Sequence, residues 1–222
     1  MTRGAGRIGC LLLVLLTMPM HAQDTAPVHA APTWDVGPYV GRATNSPVTS
    51  FGVTPDRDHL FIGAHFVATF LKREWWSVAY APEVVPILLI SNTPTYRIVT
   101  DVATPQSLRQ TKVETGRGVA AGFAMSPLGI EAQVGLLRDW RLFAGAAAGA
   151  VWFGRDVPVP GSRAFNYTYE AGGGAQWQYR PGWFLRAGYK FHHLSNAVSS
   201  VVNPGLNGNV VTAGVLRRLG HR

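Results

Sequence analysis

The sequence predicts an all-β fold: an eight-stranded antiparallel up-and-down transmembrane β-barrel. Three observations carry that reading. The 222 residues are 47% hydrophobic and only 14% charged, with 25 glycines and 24 aromatic residues, yet no apolar run is long enough to cross a bilayer as a helix. Side chains alternate with a period of two, the signature of strands. The connections between the alternating segments are short and long in turn, as in outer-membrane barrels, which have short periplasmic turns and longer outer loops.

The N-terminus is read first, because it sets the compartment. Arg3 and Arg7 precede the short apolar run Leu11 to Leu16, and Met20-His21-Ala22 offers a small-residue cleavage site. This is the pattern of a secretory signal peptide over residues 1–22, with a single barrel domain over 23–222. Cys10 is the only cysteine and lies within that signal. The exported chain then holds no disulfide, no thiol nucleophile and no cysteine metal site. The full chain carries a formal charge of +8, and removal of Arg3 and Arg7 leaves +6. An exported basic protein favours an anionic lipid surface as partner and argues against nucleic acid.

The strands are expected at Trp34 to Ala43, His59 to Lys72, Trp75 to Ile90, Gly118 to Val134, Trp140 to Gly154, Ala164 to Tyr179, Trp183 to Ser195 and Asn209 to Leu219. The first is weakly patterned, and the fourth changes phase near Ser126-Pro127, which predicts a bulge. The sixth and seventh alternate most clearly. Phe165, Tyr167, Tyr169 and Trp177 share one face and Asn166, Thr168, Glu170 and Gln176 the other; Trp183, Leu185, Tyr189 and Phe191 oppose Arg186, Lys190 and His192. In a membrane barrel the aromatic face meets lipid and the polar face the interior. A soluble sandwich would bury the aromatic face instead. The short connections are Lys72-Arg73-Glu74, the segment ending Arg138-Asp139, and Arg180-Pro181-Gly182. The long ones are Thr44 to Asp58, Ser91 to Arg117, Arg155 to Arg163 and Asn196 to Gly208.

The seventh strand ends Phe191-His192-His193-Leu194-Ser195-Asn196, and Asn203-Pro204-Gly205-Leu206-Asn207 follows. Residues i and i+2 of a strand share a face, so His193 and Ser195 stand side by side, roughly 7 Å apart at the backbone. An imidazole beside a hydroxyl is the minimum equipment of an activated serine nucleophile. With both termini periplasmic, the pair lies at the outer end of the strand with lipid-facing parity, where polar side chains are costly unless they serve a purpose. The outer leaflet there holds lipopolysaccharide.

His193-Leu194-Ser195-Asn196-Ala197, with Gly205-Leu206-Asn207 in the last loop, resembles the outer-membrane lipid A 3-O-deacylase (PagL) family, also labelled acyloxyacyl hydrolase-like. The resemblance is specific from Gly188 to Asn209 and covers most of the chain only in strand layout. It implies a cofactor-free esterase embedded in the outer membrane. It also implies Ser195 as nucleophile, His193 as general base and Asn196 as an oxyanion donor. The substrate implied is an ester-linked acyl chain of lipid A or of a similar lipid. The family carries a glutamate twelve residues after the serine to orient the histidine; here that position is Asn207, and no Asp or Glu occurs from Ala171 to Arg222. The third member is then Asn207 or a carboxylate from another strand. A small barrel without catalysis, structural or adhesive, is the main alternative, and a soluble lipid-binding barrel the third.

The remaining polar residues read as structural. His192, Arg186 and Lys190 share the interior parity with Glu83 and Glu170, so a buried ionic network is expected. His59 and His65 share a face, but a metal-ligand set is not visible. Gly172 to Gly174 lacks the Lys-Ser/Thr and helix of a phosphate loop and points to close strand packing. Ala171, Gly173 and Ala175, on the lipid side, are expected to leave a groove for an acyl chain.

Overall fold

The computed structural model describes residues 33–104, 107–197 and 199–219. The expected signal peptide lies outside the described residues. Nine strands are assigned: β1 (Thr33–Ala43), β2 (His59–Lys72), β3 (Trp76–Tyr80), β4 (Glu83–Thr104), β5 (Ser107–Leu137), β6 (Trp140–Val157), β7 (Arg163–Arg180), β8 (Trp183–Ser195) and β9 (Leu206–Leu219). Neighbours are antiparallel throughout, and β1 pairs with both β9 and β2, which closes the sheet into a ring. β3 and β4 both lie between β2 and β5. They therefore fill one position, and the ring has the eight positions expected.

The interruption has a local cause. Pro82 has no N–H to give to a ladder. The backbone crosses the gap on two bonds: Ala81 N–H donates to Gly129 O (2.9 Å), and Pro82 O accepts from Phe66 N–H (3.1 Å). Opposite the gap, β5 slips register between Met125 and Leu128. The bulge expected at Ser126-Pro127 is thus present, and it reverses the parity of β5: Ala124 and Ser126 are buried before it, Glu131 and Gln133 after it.

One connection departs from expectation. Ser91 to Arg117 is not a loop. Past Ile90 and Gly118, β4 and β5 continue as a paired ribbon as far as Thr104 and Ser107, with no third strand beside them among the described residues. A free ribbon has no lipid face and no interior face, so its sequence carries no alternation to read. Strand-favouring Thr93 and Thr95 stand in it.

The exterior is apolar, with two aromatic belts. At the end with short turns stand Trp34, Trp75, Trp140, Trp177 and Tyr179, where Trp140 stacks on Trp177 with centroids 6.0 Å apart; at the other end stand Trp152, Tyr167 and Tyr169. This is the surface of a barrel in a bilayer.

The interior is layered. An apolar cluster of Val67, Ala79, Phe184 and Leu216 fills the turn end, and a larger one including Phe61, Leu88, Ile90, Val151, Leu194, Leu206 and Val210 fills the loop end. Between them lie the charges. Lys190 Nζ bridges Glu83 Oε1 (2.6 Å) and Glu170 Oε2 (2.7 Å). Tyr39 donates to Glu83, and His65 Nδ1 stands 3.3 Å from the same carboxylate. Arg186 pairs with Glu131 on β5 and lies over the Phe143 ring, 3.4 Å from its centroid. The expected network is therefore real, but His192 is not part of its hydrogen bonding. Its ring packs edge-on to Phe61 and His59, with Nε2 3.7 Å from Glu170. The glycine run packs as expected: a Cβ on Gly174 would fall 2.1 Å from the Ala187 carbonyl oxygen.

Removing one member of a buried ionic set leaves uncompensated charge and costs about 3–5 kcal/mol. Lys190→Met should accordingly lower the urea midpoint of the purified barrel, followed by tryptophan fluorescence in detergent. An unchanged midpoint would show that Glu83 and Glu170 do not depend on the lysine.

Candidate active site

Along β8 the odd residues Leu185, Ala187 and Tyr189 are exposed, and the even residues Phe184, Arg186, Lys190, His192 and Leu194 are buried. His193 and Ser195 continue the odd series as half-buried side chains on the outer wall, with Leu194 turned inward between them. Their register partners on β7 are Tyr169 and Tyr167, so the pair sits within the aromatic belt at the loop end. No hydrogen bond joins the two in this conformation. Catalytic hydrogen bonds are often long before substrate binds.

The hydrogen bond His193 does make runs to β9. Asn207 is its direct register partner, and His193 Nδ1 lies 2.8 Å from Asn207 Oδ1. Asn207 has outer parity, like the exposed Asn209 and Val211, yet is fully buried. The cover is the 44–58 loop between β1 and β2. This loop closes on itself through Ser46 N–H to Arg57 O (3.0 Å) and Thr49 N–H to Gly52 O (2.8 Å). It then docks on the β8–β9 loop through Val53 N–H to Pro204 O (2.8 Å) and Thr54 Oγ1 to Gly205 O (2.7 Å). Inside it, Asn207 Nδ2 donates toward Pro47 O (3.1 Å), Thr49 Oγ1 (2.9 Å) and Gly52 O (3.0 Å). Phe51 stands edge-on to the His193 ring, 6.5 Å between centroids.

Asn196 points elsewhere than an oxyanion donor on the outer wall would. It is buried; its N–H donates to Asn203 Oδ1 (3.1 Å) and its Nδ2 to Val202 O (2.8 Å). These bonds brace the turn in which Ala197 takes the left-handed conformation, φ +47°. The far side of the loop is held by β7 and the turn before it. Arg163 Nη2 donates to Ser199 O (3.0 Å) and Ser200 Oγ to Gly161 O (2.7 Å).

A polar trio on a lipid-facing wall, held by two interlocked outer loops, is the setting for comparison with known proteins. The family model described as "Lipid A 3-O-deacylase (PagL)" matches residues 91–215, more than half of the chain. The chain belongs to the PagL family. The crystal structure of the outer membrane enzyme PagL is 11% identical, covers 81% of this chain and 97% of its own, and superposes with a TM-score of 0.53. Neisserial surface protein A is 11% identical (84% and 97% covered, TM-score 0.45), and Ail of Yersinia pestis 10% identical (85% and 99%, TM-score 0.43). At these identities the likeness concerns the fold. No curated protein matches the sequence. As a PagL-family barrel the protein resides in the bacterial outer membrane.

The loop covering Asn207 was not foreseen in the PagL-like site, although ring closure implies it. Once β1 pairs with β9, the first and last outer loops must be neighbours. The groove expected along β7 is also placed differently. A groove of about 560 Å³ opens on the outer wall and includes Ala171, but it crosses the strands instead of following β7 through Gly173 and Ala175. Its floor and sides are successive register partners: Phe191, Ala171, Ala146, Ile130 and Tyr80. It begins beside Tyr169 and Phe191, next to His193.

Gly205 is the hinge of the interlocked loops. Its φ is +62°, and a Cβ there would meet Phe51 O at 2.6 Å. A left-handed residue with a side chain and a backbone clash is strained. Gly205→Ala should therefore free the 44–58 loop, read as faster limited proteolysis there while the barrel stays folded; cleavage at the wild-type rate would count against the docking.

Proposed function

We propose that this PagL-family protein is a serine esterase that removes an ester-linked acyl chain from lipid A in the outer leaflet. The observation that supports this best is the His193–Asn207 hydrogen bond on the lipid side of the wall, with Ser195 two residues along the same face. A barrel that only spans the membrane gains nothing from an ordered imidazole among its outer aromatics.

The chemistry follows from that arrangement. Asn207 holds Nδ1, which leaves Nε2 for the Ser195 hydroxyl. Ser195 Oγ attacks the acyl carbonyl carbon while His193 Nε2 takes its proton. The tetrahedral oxyanion needs donors worth about 3 kcal/mol each. Asn196, turned inward with its Nδ2 on Val202 O, is not placed to be one of them. Collapse breaks the carbon–oxygen bond to the sugar, and His193 returns the proton to the leaving sugar oxygen. Water, deprotonated by His193, then attacks the acyl-enzyme, releases the fatty acid and restores Ser195. The acyl chain lies in the transverse groove, on the small side chains of Ala171 and Ala146. No cofactor enters.

Purified protein mixed with lipopolysaccharide should release free fatty acid, and Ser195→Ala and His193→Ala should abolish release while the barrel keeps its heat-modifiable migration. Equal release by wild type and Ser195→Ala, or none by either, favours the non-catalytic barrel. Filling the groove with Ala146→Phe should slow release of long acyl chains more than hydrolysis of a short soluble ester. Equal slowing of both would place the acyl chain elsewhere.

A further inference from the structure

We infer that the 44–58 loop belongs to the site, and that the two backbone carbonyls it turns toward residue 207 make an amide, and not a carboxylate, the fitted partner of His193. Three oxygens surround Asn207 Nδ2: the carbonyls of Pro47 and Gly52 and the hydroxyl of Thr49. Carbonyl oxygens can only accept. Thr49 Oγ1 also accepts from Phe51 N–H at 3.1 Å, so with the amide in place both its lone pairs face donors. Asn207 is fully buried, which leaves no room for water to supply a missing donor.

The orientation of the amide follows from this lining. A flipped amide would set Oδ1 against two carbonyl oxygens at about 3 Å, with no donor between them. Oδ1 therefore faces His193. An amide oxygen only accepts, so His193 Nδ1 must carry the ring proton and Nε2 the lone pair. That is the tautomer a general base toward Ser195 requires. The loop thus sets the protonation geometry of His193 through one intervening side chain. Thr49 and Asn207 are positioning residues: neither touches the reacting atoms. Gly52 lets the backbone come close enough, since a Cβ there would lie 2.7 Å from Asn207 Nδ2.

A carboxylate at 207 would meet the carbonyl oxygens of Pro47 and Gly52 with no hydrogen to offer, and only the Thr49 hydroxyl could turn a hydrogen toward it. A buried anion facing lone pairs is strongly unfavourable. The acid that the family resemblance leads one to expect would expel the loop in this chain.

This inference rests on the esterase reading for its kinetic arm only. The experiment compares wild type, Asn207→Asp, Thr49→Val and Ser195→Ala in detergent micelles. It measures fatty-acid release from lipopolysaccharide, the histidine tautomer by ¹⁵N NMR, and hydrogen exchange of the Val53 amide that binds Pro204 O. Asn207→Asp should lower kcat by roughly 100-fold by displacing the loop, well short of the ~10⁴ lost when a triad imidazole takes the wrong tautomer, and accelerate Val53 exchange. Thr49→Val, which folds whether or not the aspartate variant does, should lower kcat about fivefold, one hydrogen bond's worth. Its KM should not change, and it should mix the tautomers. Ser195→Ala should stop release and leave tautomer and exchange as in wild type. Wild-type kcat in Asn207→Asp, or an Nε2–H tautomer in wild type, overturns the inference. Release that survives Ser195→Ala overturns the esterase reading alone, and the NMR and exchange arms still decide the role of the loop.

Discussion

A sheet surrounded by hydrocarbon must close on itself, because a backbone N–H or C=O left unpaired there finds no water. Here the closing seam is the pairing of β1 with both β9 and β2. Closure makes alternation absolute: each side chain faces lipid or the interior, and a one-residue slip would exchange the two. The position of the site follows from this constraint. The odd series that carries Leu185 and Tyr189 into lipid also delivers His193 and Ser195 there. The same seam brings the loop after β1 against the loop before β9, where it covers Asn207.

The interior obeys the complementary rule. Charges taken out of water need partners, and they occupy one layer between two apolar plugs. Lys190 is shared by two carboxylates, and Arg186 has its own in Glu131. Glu131 reaches the interior only because the bulge near Pro127 reverses the parity of β5. The bulge is thus more than a local irregularity, since without it the arginine beneath the site would face an uncompensated layer.

The sequence was most informative where lipid and interior impose opposite demands on adjacent residues. β2, β7 and β8 lie within one residue of their expected ends, and the outward parity of His193 and Ser195 was legible from Trp183 onward. The β4–β5 ribbon was not, because beyond the ring there are no two faces to encode. The loop over Asn207 was hidden for a different reason. It acts through backbone carbonyls of Pro47 and Gly52, which no side-chain motif announces. Asn196 illustrates the limit of motif transfer. Adjacency to the serine suggested a donor on the outer wall, but strand parity turns position 196 inward, where its bonds organise the turn.

The asparagine at 207 raises the question of what a neutral orienter can achieve. In the serine protease triad, exchanging the orienting aspartate for asparagine lowers kcat by about 10⁴, and the loss arises because the new amide presents its N–H to the ring and selects the wrong tautomer. The failure is therefore one of amide orientation, over and above the loss of charge. Here the amide cannot turn, because its NH₂ faces three acceptors and its oxygen is left for Nδ1. For the proposed reaction, that geometry avoids the wrong-tautomer part of the loss. What remains is weaker stabilisation of the imidazolium during the reaction. On the lipid side this has a counterpart: an amide, unlike a carboxylate, places no charge of its own against hydrocarbon. A carboxylate would support the imidazolium better but would have to be kept charged in that setting against the carbonyls of Pro47 and Gly52, with the Thr49 hydroxyl as its donor from this loop.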